Sequence, residues 1–101
     1  MSTVIELGSG SDAQRELAVQ LNQASAAMRA HGGTVRRFTL SSIPGSVGLD
    51  GGPAANVLFR EGRCVLIVGD ETSATDHRAP AVHTARAIYA RTHRRAGACT
   101  S

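Results

Sequence analysis

The segment AANVLFREGRCVLIVGDE, Ala54 to Glu71, constrains the fold more than any other part of the chain. Two apolar runs flank Glu61-Gly62, the mark of a two-residue hairpin turn in which Gly takes a positive φ without steric cost. The second run, Cys64 to Val68, is apolar at every position and so on both of its alternating faces. A strand of that kind belongs in the middle of a sheet. The remaining strands must come from elsewhere in the sequence.

Val4 to Leu7 reads as one short strand. Ser11-Asp-Ala-Gln14 then forms a capping-box pattern, in which a serine at the N-cap and a glutamine three residues later satisfy each other's neighbouring N–H groups. Leu17, Leu21, Ala24 and Met28 recur at steps of four, three and four, which predicts an apolar stripe on a helix of about twenty residues. His31-Gly32-Gly33 stops that helix. Thr34 to Leu40 is the next strand, with Arg36 and Arg37 breaking its alternation and leaving one side wet.

Ile43-Pro-Gly45 carries a type II turn. Ser46 to Pro53, with Gly48, Gly51 and Gly52, reads as a flexible loop or a poorly formed strand. The polar segment Glu71 to His77 leads to Pro80 in the first turn of a second helix, where proline's missing N–H costs nothing. Val82, Ala85, Ile88 and Tyr89 give that helix its buried stripe, and Gly97 is placed to stop it. The order is β-α-β-(β)-β-α. It predicts a single α+β domain over residues 1–101: a two-layer sandwich with a mixed, mostly antiparallel sheet of four or so strands and both helices on one face.

A length of 101 residues allows one hydrophobic core. Phe38, Phe59 and Tyr89 are the only aromatics, so that core is aliphatic. All the cationic side chains are arginine, and the net charge of +3 permits anionic contacts without demanding them. No apolar run approaches the roughly 18 residues needed to span a bilayer. No signal-peptide pattern precedes the first strand, which fits a small cytosolic protein or equally a piece of a longer secreted one.

VIELGSGSD is the one stretch that invites an enzymatic reading, because strand, glycine turn and helix N-terminus together can hold a phosphate. It resembles the first motif of Rossmann-like methyltransferases, with Glu6, Gly8 and Gly10 at the matching positions and Asp12 where a third glycine would stand. It is similar also to the Gly-Ser-x-Ser-Asp start of the enzymes that mutate carboxyaminoimidazole ribonucleotide, with Gly8, Ser9, Ser11 and Asp12 in register. Both families need further βα units, and this chain passes into a hairpin after one. The plainer expectation for Gly8 to Asp12 is a turn feeding a helix cap, with no nucleotide cofactor.

The remaining chemistry is sparse. His77 stands with Asp70, Glu71 and Asp76, but His31, His77, His83 and His93 show none of the close spacings that align metal ligands, so no metal is expected; no motif such as GxSxG points to a catalytic set, which geometry rather than spacing would reveal. Arg86, Arg91, Arg94 and Arg95 complement a helix C-terminus, and with only Tyr89 nearby to stack on a base no nucleic-acid partner is expected. Cys64 and Cys99 are the only cysteines. In an oxidising compartment they are expected to pair, tying the C-terminal tail to the sheet.

FREGRCVLIVGD, followed by an Ala/Arg-rich last helix, resembles the closing hairpin and helix of small extracytoplasmic domains in actinobacterial lipoproteins and other secreted proteins. That resemblance implies a non-enzymatic, extracytoplasmic binding domain whose partner contacts the Ser41 to Pro53 loop or a sheet face. The competing expectation is a small cytosolic nucleotide- or phosphate-binding enzyme that uses Gly8, Ser9, Gly10, Ser11 and Asp12 and works as a homo-oligomer.

Overall fold

The computed structural model describes residues 2–30, 34–51, 54–70 and 78–94. Its elements follow in the order β1 (Ser2–Glu6), α1 (Gly10–Ala30), β2 (Arg36–Phe38), β3 (Val47–Gly51), β4 (Ala54–Glu61), β5 (Cys64–Asp70) and α2 (Arg78–Arg94). The five strands form one sheet in the order β1-β5-β4-β3-β2, antiparallel throughout. The fold is an α+β sandwich.

The central hairpin lies one residue later than its sequence suggests. Glu61 pairs with Cys64, which leaves Gly62 and Arg63 as the turn. Gly62 has φ 57° and Arg63 a negative φ, the arrangement of a type II′ turn, whose twist suits a hairpin. The Pro44-Gly45 turn forms as expected, with Gly45 at φ 76° and the Ser46 N–H donating to the Ile43 carbonyl at 3.2 Å.

The layering corrects the expectation of two helices on one face. Along β4 and β5, Ala55, Val57, Phe59, Cys64, Leu66 and Val68 share a core cluster with Ala81 and Ala85 of α2. The alternate residues Ala54, Leu58 and Val65 cluster instead with Ala13, Leu17 and Met28 of α1. One helix therefore covers each face. The physical reason lies in the strands themselves: a hairpin apolar on both sides leaves one side in water unless a second layer covers it, at a cost of about 25 cal/mol for each Å² of apolar surface left uncovered.

The sheet is also not mixed. Strands β1 and β2 run in the same direction, as a β-α-β crossover requires, but they occupy opposite edges with three strands between them. Helix α1 makes that traverse. Its 21 residues reach about 31 Å, enough to pass obliquely over a sheet roughly 19 Å wide between its outer strands. It touches β5, β4 and β3 on the way.

The stretch read from sequence as loop or failed strand is β3, an interior strand paired on both sides. Its glycine has a packing role. Gly48 lies opposite Phe38, and a Cβ built on Gly48 would overlap the edge of the Phe38 ring. The ring lies across the glycine, so Phe38 is buried although it belongs to an edge strand only three residues long.

This contact yields a test. Gly48→Ala should destabilise the protein by about 1–3 kcal/mol in urea unfolding, because the methyl group must displace the ring. The double variant with Phe38→Leu should recover part of that loss, a non-additivity that independent sites do not show.

Candidate functional site

The glycine-serine loop is built from the end of β1 and the start of α1. The Ser9 hydroxyl accepts a hydrogen bond from the Asp12 N–H at 3.1 Å, and the Ser9 carbonyl accepts one from the Ala13 N–H at 3.0 Å. Ser9 is thus the N-cap, and α1 begins at Gly10. This corrects the Ser11–Gln14 capping box: Ser11 and Gln14 are exposed residues of the first turns.

Asp12 completes the cap. Its Oδ1 accepts from Arg15 Nη2 at 2.8 Å, and a Cβ on Gly8 would lie 3.3 Å from its Oδ2, so the carboxylate reaches back toward the loop. A carboxylate in the first turn supplies the negative charge that the helix dipole favours there. An incoming phosphate would meet that charge. Glu6, the acidic residue that the methyltransferase likeness would turn toward a cofactor, is bound instead to Arg63 Nη2 at 2.7 Å.

Beside the cap, Gly10, Ser11, Gln14, Arg15 and Arg60 line an open, shallow concavity. Arg15 is held by Asp12, while Arg60 donates to the Gly62 carbonyl at 3.0 Å. The concavity has a solvated basic rim and little enclosure. Of the five residues Gly8, Ser9, Gly10, Ser11 and Asp12, the structure brings Ser9 and Asp12 together as a cap and leaves the others as loop and first-turn backbone.

Up to Gly51 the Ser41 to Pro53 stretch sends Ile43, Ser46, Gly48 and Leu49 into the core. Ile43 is buried in the α2-side cluster, and the buried Ser46 hydroxyl bonds both the N–H and the carbonyl of Leu40 at 3.2 and 3.3 Å. Ser41, Ser42, Pro44 and Gly45 remain exposed, with Ser42 taking a hydrogen bond from Arg86 Nε at 3.2 Å. Gly52 and Pro53 lie outside the described residues.

The other candidates separate in the same way. Cys64 is fully buried at the start of β5, whereas Cys99 lies outside the described residues. His83 is exposed on α2, His93 falls in its last turn, and His31 and His77 lie outside the description. Among the described residues no group of three His, Cys, Asp or Glu side chains could hold a metal, and no helix is long and apolar enough to cross a membrane. Tyr89 packs edge-on against Phe59, with ring centroids 5.8 Å apart. Its ring is part of the core packing beside the basic end of α2.

A feature that sequence reasoning missed is the β1 edge. Leu7 N–H donates to the Arg63 carbonyl at 2.9 Å, and Arg63 Nη1 donates to the Leu7 carbonyl at 3.2 Å, so the end of β1 is pinned to the central turn. Among the described residues β1 pairs with β5 alone, and on it Val4 is 59 % exposed. Nothing in the run Ser2-Thr-Val-Ile5 signals an outer position, although it is free of charge where the other outer strand carries Arg36-Arg37.

The cap assignment can be checked by substitution. Ser9→Ala should lower stability by about 1 kcal/mol in urea unfolding. Millimolar nucleotides or S-adenosylmethionine should leave the melting temperature of the unmodified protein unchanged, since a ligand of the folded state would raise it. Compared with protein-family models, with curated proteins and with solved structures, the chain finds no match in any of the three.

Proposed function

We propose that the protein is a non-enzymatic binding domain that works outside the cytoplasm and engages a protein partner by strand addition at the edge of β1. The observation that carries this reading is the contrast between covered faces and an open edge. A helix lies on each face of the sheet, while β1 offers five residues of strand with Val4 turned to solvent. Main-chain pairing supplies affinity in such a contact and the alternate side chains supply selectivity. The glycine-serine loop supports the same reading from the other side, because its polar groups are used in capping α1.

The compartment rests on the cysteines. Helix α2 follows β5 and packs back along it and β4, with Tyr89 on Phe59, the neighbour of Leu66. From Tyr89 to Arg94 the helix advances about 7.5 Å, and from Leu66 back to Cys64 the strand spans about 7 Å. Cys64 lies in the core cluster that α2 covers, and Cys99 follows the end of α2 by five residues. A Cys64–Cys99 bond asks for a Cα separation below about 7 Å, well within the reach of a five-residue segment.

Two measurements test this. A photoreactive residue placed at position 4, in cells that make the protein naturally, should cross-link to a protein, while the same residue at Val19, the other exposed large apolar side chain among the described residues, should not. Cross-linking at 19 alone would remove the assignment of β1. Separately, protein recovered from an oxidising compartment should show no alkylatable thiol, and reduction should cost about 3–4 kcal/mol for a closed loop of about 35 residues. Two free thiols in that material would move the protein back to the cytosol.

A further inference from the structure

We infer that the partner at the β1 edge is a second copy of this chain, joined by antiparallel pairing of the two β1 strands about a two-fold axis at Val4. The inference rests on the reading of β1 as the interaction edge and adds the identity of its occupant.

The two outer strands are built differently. Strand β2 is three residues long and carries exposed Arg36 and Arg37, a pair of adjacent charges that a pairing strand would have to accommodate. Strand β1 is five residues long and contains the β-branched run Thr3, Val4, Ile5. Its one charge, Glu6, is neutralised by Arg63. Among the described residues, one edge is protected against strand addition and the other is not.

The hydrogen-bond phase shows which backbone groups β1 presents. Leu7 stands opposite Arg63 in the register that pairs Glu6 with Cys64, and its N–H donates to the Arg63 carbonyl. Pairs alternate along an antiparallel ladder, so Thr3 and Ile5 bond β5, while Ser2, Val4 and Glu6 turn their N–H and C=O groups outward. These three positions are spaced symmetrically about Val4.

A two-fold axis at Val4 therefore closes a complete ladder. Val4 exchanges both backbone bonds with the partner's Val4, and Ser2 does so with the partner's Glu6 at one end and Glu6 with the partner's Ser2 at the other. On the α2 side of the sheet the two exposed valines lie side by side. On the α1 side Thr3 stands opposite the partner's Ile5, a pairing of β-branched residues that a pleated surface favours. The two Glu6 residues fall about 14 Å apart along the strands, beyond the screening length of about 8 Å at physiological salt. The register sets no like charges against each other. An isologous contact of this type also closes on itself and leaves β2 as the outer edge of a ten-stranded sheet.

Sedimentation equilibrium of the full chain, with residue-resolved amide exchange, tests the inference. The wild type should dimerise with a dissociation constant of about 1–100 μM, the range for a small interface, and exchange at the Val4 amide should slow at least tenfold as the dimer forms. The Ile5 amide, bonded within the protomer, should stay protected at all concentrations. Val4→Lys should be a monomer with unchanged circular dichroism, and Val19→Lys should remain a dimer. A wild-type chain that stays monomeric at 500 μM overturns the second copy, as does a dimer that survives Val4→Lys.

A labelled peptide of sequence STVIE separates this failure from that of the underlying reading. If the monomer binds the peptide and its Val4 amide becomes protected, β1 still accepts a strand and only the second copy is lost. If neither peptide nor copy binds, or if Val4 is protected in a dilute monomer because the chain covers its own edge, both fall.

Discussion

The structure depends on the need to bury both sides of one hairpin. Phe59, Leu58, Val65 and Leu66 alternate between the two faces and are almost wholly enclosed, each contributing about 1.5–3 kcal/mol through burial. That gain is offset by the entropy of ordering the chain, about 1–2 kcal/mol per residue for the backbone, so neither face can be left open. Two helices on opposite sides are the solution available to a chain with two helices. Everything else in the fold is arranged around that requirement: α1 must travel from one outer strand to the other, and α2 must return along β5.

Much of this was legible in the sequence, where the cause was local. The apolar stripe of α1, the Pro44-Gly45 turn, the early proline of α2 and the apolar hairpin are all consequences of residues within a turn or two of one another. Layering was not legible in the same way, because periodicity shows that a residue is buried but not which element covers it. The run Cys64 to Val68, apolar on both sides, was in fact incompatible with a wet face. Strand β3 was missed because glycine weakens strand propensity, and only the cross-strand position of Phe38 shows why one is required at 48. The cap moved from Ser11 to Ser9 because two serines stood in range and the helix begins at Gly10, where the Ser9 hydroxyl takes the Asp12 N–H.

The candidate site divides along the same line. The glycine-serine loop could be read from sequence as a turn into a helix cap, and that is its role here. The β1 edge could not, since being outermost is a property of strand order and no residue of β1 encodes it. Ser2 to Glu6 would be an ordinary inner strand if β5 had a different neighbour. Arg63 carries more of the arrangement than its place in a tight turn suggests, because it joins the first strand to the last hairpin through its backbone and its side chain together.

The pairing of β1 with β5 has a consequence for the birth of the protein. The partners lie roughly 60 positions apart, so the first strand of this sheet to be synthesised must wait for the last before it can join. Throughout that interval both of its edges are open, and its run of Thr, Val and Ile is of the kind that pairs with whatever extended chain is near. Helix α1, whose backbone hydrogen bonds are local, can form early and hold β1 on a short tether. The meander from β2 to β5 needs only neighbouring segments and can assemble in order of synthesis. Completion of the sheet is then a single late docking event, in which its first strand closes onto its last.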